Sequence, residues 1–236
     1  MKSAIYLFFL VLGLFGLSSG VWAGEAQPIS AREQKALTPE EVLEDLMRGN
    51  ARYVSNTVSE PHYQSRREAA TTGQYPQAYI LSCVDSRVPV EPIFDQGLGD
   101  IFVGRVAGNI ENEDQLGSME FASAVAGVKV ILVLGHEACG AVKGACDDVK
   151  LGNLTALVSK IRPAVEAVDG FEEDRSSKNP EFVATVVETN VKQTVEDIRQ
   201  RSEVLSGLEN EEKLKIIGGL YSLHTGQVTL LPTTMK

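Results

Sequence analysis

Three residues of one short stretch, Cys83, Asp85 and Arg87, carry side chains that are costly to bury without partners. They occupy every second position of the sequence LSCVDSRVP, directly after the apolar run AYIL. That run has the composition of a buried strand, so the three polar groups lie where the strand ends. A thiol, a carboxylate and a guanidinium at such a point indicate a functional site in which each group has a partner.

A second polar cluster lies in the sequence GHEACGAVKG, where His136 and Cys139 are three residues apart. A strand gives way to a helix here, so an imidazole and a thiol at this spacing can converge on one cation. With Cys83 they form a set of two thiolates and one imidazole, which in tetrahedral geometry favours zinc. Three protein ligands leave the fourth position open, and an open position favours a catalytic metal over a structural one.

Three alternatives remain open from spacing alone. Cys83, Cys139 and Cys146 could instead supply one disulfide and one free thiol. A structural zinc site would need a fourth ligand, but Cys146 lies about two helical turns beyond Cys139 and is predicted to point away. A cysteine nucleophile paired with His136 is the third alternative, and it leaves the carboxylate and guanidinium of the first cluster without a role.

Short apolar strands alternate with amphipathic helices from about residue 76 onward. This alternation predicts an α/β fold, with a mostly parallel β-sheet flanked by helices. Two short runs around His224-Thr225-Gly226 predict an antiparallel C-terminal edge. Ligands bind beyond the carboxyl ends of the strands in such sheets, so the two polar clusters are expected to meet there. The predicted strands are 78–81, 101–103, 130–134 and 214–217, and the predicted helices include 114–126, 154–168 and 182–205.

The chain divides into three predicted segments. Residues 1–23 have the features of a secretory signal, namely Lys2, an apolar run and a predicted cleavage point after Ala23. The apolar run is too short to favour a permanent transmembrane helix, so no stable membrane insertion is expected after cleavage. Residues 24–37 are predicted to be a mobile N-terminal arm. Residues 38–236 are predicted to form a single domain, and the mature protein is expected to be exported to the periplasm.

The formal net charge of the 236 residues is -10. This charge excludes the basic face that a nucleic-acid partner would require. Hydrophobic residues make up 43% of the chain, which is enough for one sizeable core. A small anionic ligand would need a local exception such as Arg87 or Arg105.

The two polar clusters together resemble the signature of the β-class carbonic anhydrases, which is Cys-x-Asp-x-Arg followed by His-x-x-Cys. The resemblance implies the β-carbonic anhydrase fold and a Zn2+ ion held by Cys83, His136 and Cys139. It also implies reversible hydration of carbon dioxide to bicarbonate and a proton. The similarity extends from about residue 38 to residue 231 and includes the segments DIFVGRVAGN, NVKQTVEDI and GGLYSLHTGQV.

The resemblance makes Asp85 and Arg87 the catalytic residues. Asp85 is either held off the metal by Arg87, which leaves the fourth position to water, or binds zinc as the fourth ligand in a closed state. Two thiolates neutralise the dication and weaken it as a Lewis acid, so a fixed hydrogen-bond acceptor is expected to help. A bidentate pair with Arg87 would keep Asp85 ionised for that purpose.

Neighbouring positions resemble the plant-like, open-site branch of the family. Gln74 and Phe102 match the pocket glutamine and aromatic residue of that branch, and Gly140 is assigned to substrate binding through close backbone approach. Ile80 stands where the other branch has the Trp of a regulatory bicarbonate site, which argues against such a site here. Phe121 stands where a Tyr is usual, so one pocket hydroxyl is missing.

The resemblance further implies a homodimer or a higher homo-oligomer with the pocket at the subunit interface. Two other functions stay open. The same zinc site could hydrolyse carbonyl sulfide or carbon disulfide, or the protein could be a non-catalytic zinc-binding module.

Overall fold

The structure is a computed structural model that describes residues 27–172 and 174–232. Its centre is a five-stranded sheet in the order β2-β1-β3-β4-β5. Four strands are parallel and β5 is antiparallel to β4, which confirms the predicted mixed sheet. The predicted signal, residues 1–23, lies outside the described residues. The strands are β1 Ala78–Ser82, β2 Ile101–Arg105, β3 Val130–His136, β4 Lys215–Tyr221 and β5 Val228–Leu230.

Helices cover both faces of this sheet. They are α1 Ala31–Ala36, α2 Pro39–Val54, α3 Tyr63–Ala69, α4 Val90–Ile93, α5 Glu113–Glu120, α6 Gly140–Cys146, α7 Gly152–Ser159, α8 Arg162–Ala167, α9 Pro180–Arg201 and α10 Glu203–Asn210. Among the residues that the structure describes, no helix combines the length and the apolar character that crossing a bilayer requires.

The two central strands, β1 and β3, are buried along their whole length. Alternate residues of a strand point to opposite faces, so each strand contributes to two apolar clusters. Helices α2 and α4 pack on one face, and α5, α9 and α10 pack on the other. This burial on both faces explains why the strands are continuous apolar runs in the sequence.

Two glycines let helix α9 approach the sheet closely. A Cβ at Gly135 of β3 would lie 2.5 Å from Val191 Cγ2, and one at Gly218 of β4 would lie 2.6 Å from Val191 Cγ1. Both distances are far below van der Waals contact, so larger residues would push α9 outward. The predicted strand 214–217 ends before Gly218, whereas β4 continues through Gly218 to Tyr221.

The segment before α2 differs from the predicted mobile arm. Residues 31–36 form α1, which begins with a capping box between Ser30 and Glu33. The amide of Gln34 is buried and donates to the carbonyls of Pro76 and Ala126, at 2.6 and 2.8 Å. The Ser-x-x-Glu pattern of the capping box is visible in the sequence, and it stabilises the start of α1. The hydrogen bonds of Gln34 then hold α1 against the domain.

Two predicted helices are each divided in the structure. The predicted helix 154–168 is split into α7 and α8, with Lys160 and Ile161 between them, and Pro163 lies in the first turn of α8. The predicted helix 182–205 is split at Ser202, which ends α9 and caps α10 through its side chain. Proline and serine favour helix starts, and here each one starts a new helix direction.

Candidate metal centre

The order of strands brings Cys83 and His136 to one edge of the sheet. Strands β1 and β3 are parallel neighbours, with Ser82 paired to Leu134. Cys83 directly follows β1, and His136 is the last residue of β3. The carboxyl ends of neighbouring parallel strands meet at the same edge, so these two side chains converge as the sequence predicts.

A tight turn adds Cys139 to the same place. Ala138 has a φ of 52°, a left-handed conformation that reverses the chain between His136 and the start of α6. The ligand atoms of Cys83, His136 and Cys139 all lie within 4.8 Å of one another, and all three residues are buried. Cys146 is at the far end of α6 and is not part of this group.

The imidazole of His136 is oriented for metal binding. Its Nδ1 donates to the carbonyl of Glu137 over 2.9 Å, which leaves the lone pair on Nε2. That Nε2 atom is buried and has no hydrogen-bond partner among the described residues. A buried imidazole nitrogen without a partner is costly, and a cation at this position would satisfy it.

The two sulfur atoms are spaced for a tetrahedral zinc ion. Zn–S bonds of about 2.3 Å in tetrahedral geometry place two sulfurs about 3.8 Å apart. The Sγ atoms of Cys83 and Cys139 are 4.0 Å apart. A disulfide needs about 2.05 Å, and in the structure all three cysteines are free thiols. The residues present therefore fit a zinc ion with three protein ligands.

The neighbouring sulfur atoms of Cys83 and Cys139 shift the pKa values of the two thiols in opposite directions. The hydrogen bond from Cys139 lowers the pKa of the Cys83 thiol to about 4, against the effect of burial, with further help from His136 and the Gly108 amide. The neighbouring sulfur of Cys83, and then burial, raise the pKa of the Cys139 thiol well above its usual range.

We expect zinc binding to strengthen as pH rises. Zinc binds thiolate, so any proton on a ligand thiol must leave when the ion enters. Each proton released makes the apparent affinity rise about tenfold per pH unit. Titration calorimetry in buffers of different ionisation enthalpy counts that proton. An affinity that does not change with pH would contradict this assignment.

Asp85 and Arg87 form the predicted pair beside the metal centre. The Arg87 Nε and Nη2 atoms donate to the two carboxylate oxygens at 2.9 and 2.7 Å, and the Arg87 backbone N–H donates at 3.0 Å. These hydrogen bonds hold the pKa of Asp85 well below its usual range. The Asp85 Oδ2 atom is 3.9 Å from His136 Nε2, so the ionised carboxylate lies next to the place of the metal.

Two contacts around Cys83 were not predicted from the sequence. The Gly108 N–H donates to Cys83 Sγ at 3.3 Å, and Asn190 of α9 holds the Gly108 carbonyl at 2.8 Å. Arg105 donates from Nε to the Cys83 carbonyl at 2.8 Å and from Nη2 to the Asp85 carbonyl at 2.5 Å. A glycine in the segment GRVAGN was the one signal available, because the loop holds Gly108 at a φ of 76°.

The predicted pocket residues lie elsewhere on the single chain. Gln74 is exposed and lies before β1, whereas Cys83 of the metal centre lies after β1. The two ends of this five-residue strand are about 15 Å apart. Phe102 pairs with Tyr79 near the start of the strands and lies 6.3 Å from the Phe121 ring, centroid to centroid. Gly140 is exposed beside Cys139, and a Cβ there would meet no atom of the described part of the chain within 4 Å.

Ile80, Arg105 and Tyr221 each have other contacts within the chain. Ile80 is fully buried in the core. The Tyr221 hydroxyl lies 3.3 Å from the Tyr53 hydroxyl, and Arg105 binds the segment 83–87 after β1, here called the metal loop, through its backbone. Each side chain therefore has a structural role within the single chain.

Comparison with known proteins agrees with this geometry. The model of the carbonic anhydrase family matches residues 78–228. Carbonic anhydrase 2 of Mycobacterium tuberculosis is 37% identical over 191 residues, which are 78% of this chain and 89% of that protein. The carbonic anhydrase of Mycolicibacterium smegmatis is 36% identical over 188 residues, which are 77% of this chain and 88% of that protein.

Solved structures give the same fold. A β-carbonic anhydrase of Aspergillus fumigatus has a TM-score of 0.65 at 22% identity, over 82% of this chain and 92% of that one. A tetrameric β-carbonic anhydrase of Sordaria macrospora has a TM-score of 0.62 at 24% identity, over 77% of this chain and 90% of that one. Taken together with the match to the family and with the cysteine and histidine cluster, these similarities establish that the chain belongs to the carbonic anhydrase family, in its β class.

Proposed function

We propose that this protein catalyses the reversible hydration of carbon dioxide at a zinc ion bound by Cys83, His136 and Cys139. The observation that carries the proposal is the buried triangle of these ligand atoms beside a carboxylate that Arg87 turns toward itself. Carbon dioxide and water give bicarbonate and one proton, so the site needs a nucleophile, an acceptor that orients it and a path for the proton.

A bound zinc ion would supply a Lewis acid that makes water a nucleophile near neutral pH. Asp85 would accept a hydrogen bond from the attacking water and direct its oxygen toward the carbon of the substrate. Arg87 keeps that carboxylate ionised and fixed, because both carboxylate oxygens accept from its guanidinium. The proton released would pass to buffer or to a surface carboxylate, because the exposed His62 and His224 are outside the metal cluster.

The competing substrates are carbonyl sulfide and carbon disulfide, which the same donor set could attack. The test measures carbon dioxide hydration and sulfide release on one zinc-loaded sample, before and after removal of the metal by a chelator. We expect rapid hydration that disappears with the metal and returns when zinc is added back. Negligible hydration with rapid sulfide release would overturn the proposal, and inactivity toward all three substrates at full zinc loading would indicate a non-catalytic zinc module.

The proposed assembly is at least a homodimer. The tetrameric relative supports an oligomer, and so does the exposure of Val84, Phe121 and Val125, whose exposed fractions are 56, 51 and 73%. Strand β2 is also an edge of the sheet, with free backbone groups along one side. A second copy could bring Gln74 and Phe102 to the metal centre from which they are separated within one chain.

We therefore expect light scattering to give a mass of at least twice that of the chain. Phe121→Glu should weaken association, because the buried apolar contact would be replaced by an unpaired charge. Lys150→Glu serves as the control, because it introduces the same side chain at an exposed position whose ion pair with Asp148 is also exposed. A monomeric and fully active protein would contradict the proposed assembly.

The proposed location follows from the N-terminal sequence. A charged residue, an apolar run and small residues before Ala23 support export and cleavage after that residue. Mass spectrometry of the protein recovered from a periplasmic extract should give Gly24 as the first residue. Recovery of the uncleaved chain from the cytoplasm would contradict this location.

A further inference from the structure

Arg105 connects the metal loop to the sheet. It is the last residue of β2 and pairs in register with Ser82, the last residue of β1. Its guanidinium reaches across to the chain that leaves β1, where it donates to the carbonyls of Cys83 and Asp85 at 2.8 and 2.5 Å. The Val106 N–H donates to the Ser82 carbonyl at 3.0 Å, so three successive contacts fix this part of the loop to β2.

These contacts act on the backbone of Asp85, whereas Arg87 acts on its side chain. Arg87 belongs to the same loop, two residues further on, and its side chain is 53% exposed. If the loop moved, Arg87 would move with Asp85 and would not prevent the motion. Arg105 belongs to a strand of the sheet and can therefore hold the loop in place.

A small movement of the loop would change the chemistry of the site. The Asp85 Oδ2 atom is 3.9 Å from the unpartnered Nε2 of His136. A metal between the three ligand atoms would lie within reach of that carboxylate after a modest rotation. Carboxylate is a competent zinc ligand, so the position of the loop decides whether the fourth coordination position is free.

We propose that Arg105 is a positioning residue that holds Asp85 away from the metal and so keeps the fourth coordination position open. It does so through the carbonyls at the two ends of the segment 83–85. The role rests on the proposed zinc site but not on the identity of the substrate. Arg105 is exposed and is not needed to fill the core. Its hydrogen bonds to the two loop carbonyls are the contacts through which it would act.

The test measures anion binding at the metal of cobalt-substituted protein, because thiocyanate binds an open position and perturbs the visible absorption of Co2+. We expect wild type to bind thiocyanate and Arg105→Gln to bind it about tenfold more weakly, with cobalt content unchanged. Adding Asp85→Asn to Arg105→Gln should restore the affinity to that of Asp85→Asn alone, because an amide is a poor ligand that no longer closes the site. Arg105→Lys, which can reach one carbonyl but cannot bridge two, should be intermediate.

The outcomes separate this role from a general loss of structure. Arg67→Gln, an exposed arginine on α3, is the matched control and should bind like wild type. Wild-type affinity in Arg105→Gln would overturn the proposal, and so would weak binding that the second substitution does not restore, or loss of cobalt from the single variant. If Arg105→Gln does not fold, Arg105→Lys with and without Asp85→Asn decides in the same way. Failure of wild type itself to bind cobalt would refute the zinc site and with it the proposed function.

Discussion

Asp85→Asn should lower kcat/KM for carbon dioxide hydration by about 10²- to 10⁴-fold while the zinc content stays at the wild-type value. The amide has nearly the same shape but no charge, so it loses the two charge-assisted bonds from Arg87 and is no longer fixed in one orientation. It is also a weaker acceptor for the attacking water. Stopped-flow hydration and metal analysis on the same sample measure both quantities.

The control for this variant is Asp148→Asn, which removes an exposed carboxylate paired with Lys150. It should leave kcat/KM unchanged. Loss of zinc from Asp85→Asn would mean that the carboxylate is a metal ligand in the resting protein. Retention of full activity would mean that another group orients the nucleophile.

Arg66→Met should lower the free energy of unfolding by about 3–5 kcal/mol. Arg66 and Asp100 form an ion pair in which both side chains are buried, with exposed fractions of 0 and 1%. The Arg66 guanidinium also donates to the Leu98 carbonyl, and the Gly97 N–H donates to Asp100. Removal of the guanidinium would leave a buried carboxylate without its countercharge. Denaturant unfolding at neutral pH measures the loss.

The pH dependence of this variant follows from the same burial. Burial raises the pKa of Asp100 to about 6 against the opposing charge of Arg66, so without that charge the pKa rises further. A carboxyl with a raised pKa in the folded state favours folding at low pH, and this contribution is lost as pH rises through that pKa. The loss of stability in Arg66→Met should therefore be smaller at about pH 5 than at about pH 8.

Two comparison variants complete this prediction. Lys192→Met removes a half-exposed lysine that pairs with the half-exposed Glu188, and it should cost no more than about 1 kcal/mol. Asp100→Leu added to Arg66→Met should recover part of the stability, because it removes the unpaired charge. Equal costs for Arg66→Met and Lys192→Met would show that the buried pair contributes no more than a surface pair.

The cluster of Cys83, His136 and Cys139 was predictable because the chemistry of these residues and their place in the fold agree. Two thiols and an imidazole are rare and costly groups, and each follows an apolar strand in the sequence. Parallel neighbouring strands then bring Cys83 and His136 to one edge, as the structure confirms. The pairing of Asp85 with Arg87 was predictable for the same reason, since the two side chains are only two residues apart.

The support around the ligands was not predictable, because it depends on contacts between distant parts of the chain. Asn190 reaches Gly108 across 82 residues, and Arg105 reaches two backbone carbonyls that no sequence pattern marks. Every residue has a backbone carbonyl, so the type of the partner residue gives no sign in the sequence that a side chain binds its backbone. The role of Arg105 is therefore visible only in three dimensions.

The elements at the ends and breaks of helices were predicted least well. The apolar periodicity of 154–168 and 182–205 continues through the breaks, so periodicity alone indicates one helix in each case. The chain begins a new helix after Ile161 and after Ser202, because Pro163 and the Ser202 side chain favour a helix start at these points. The N-terminal segment shows the opposite error, since a polar sequence hid the buried amide contacts of Gln34.

The most direct test of the account is the carbon dioxide hydration rate of wild-type protein as a function of its zinc content, near neutral pH. Samples reconstituted with increasing amounts of zinc are assayed by stopped flow, and the metal is measured on the same material. We predict a rate that rises in proportion to zinc and reaches its maximum at one ion per chain. A rate that is independent of zinc, or no hydration at full occupancy near neutral pH, would contradict an open catalytic zinc site.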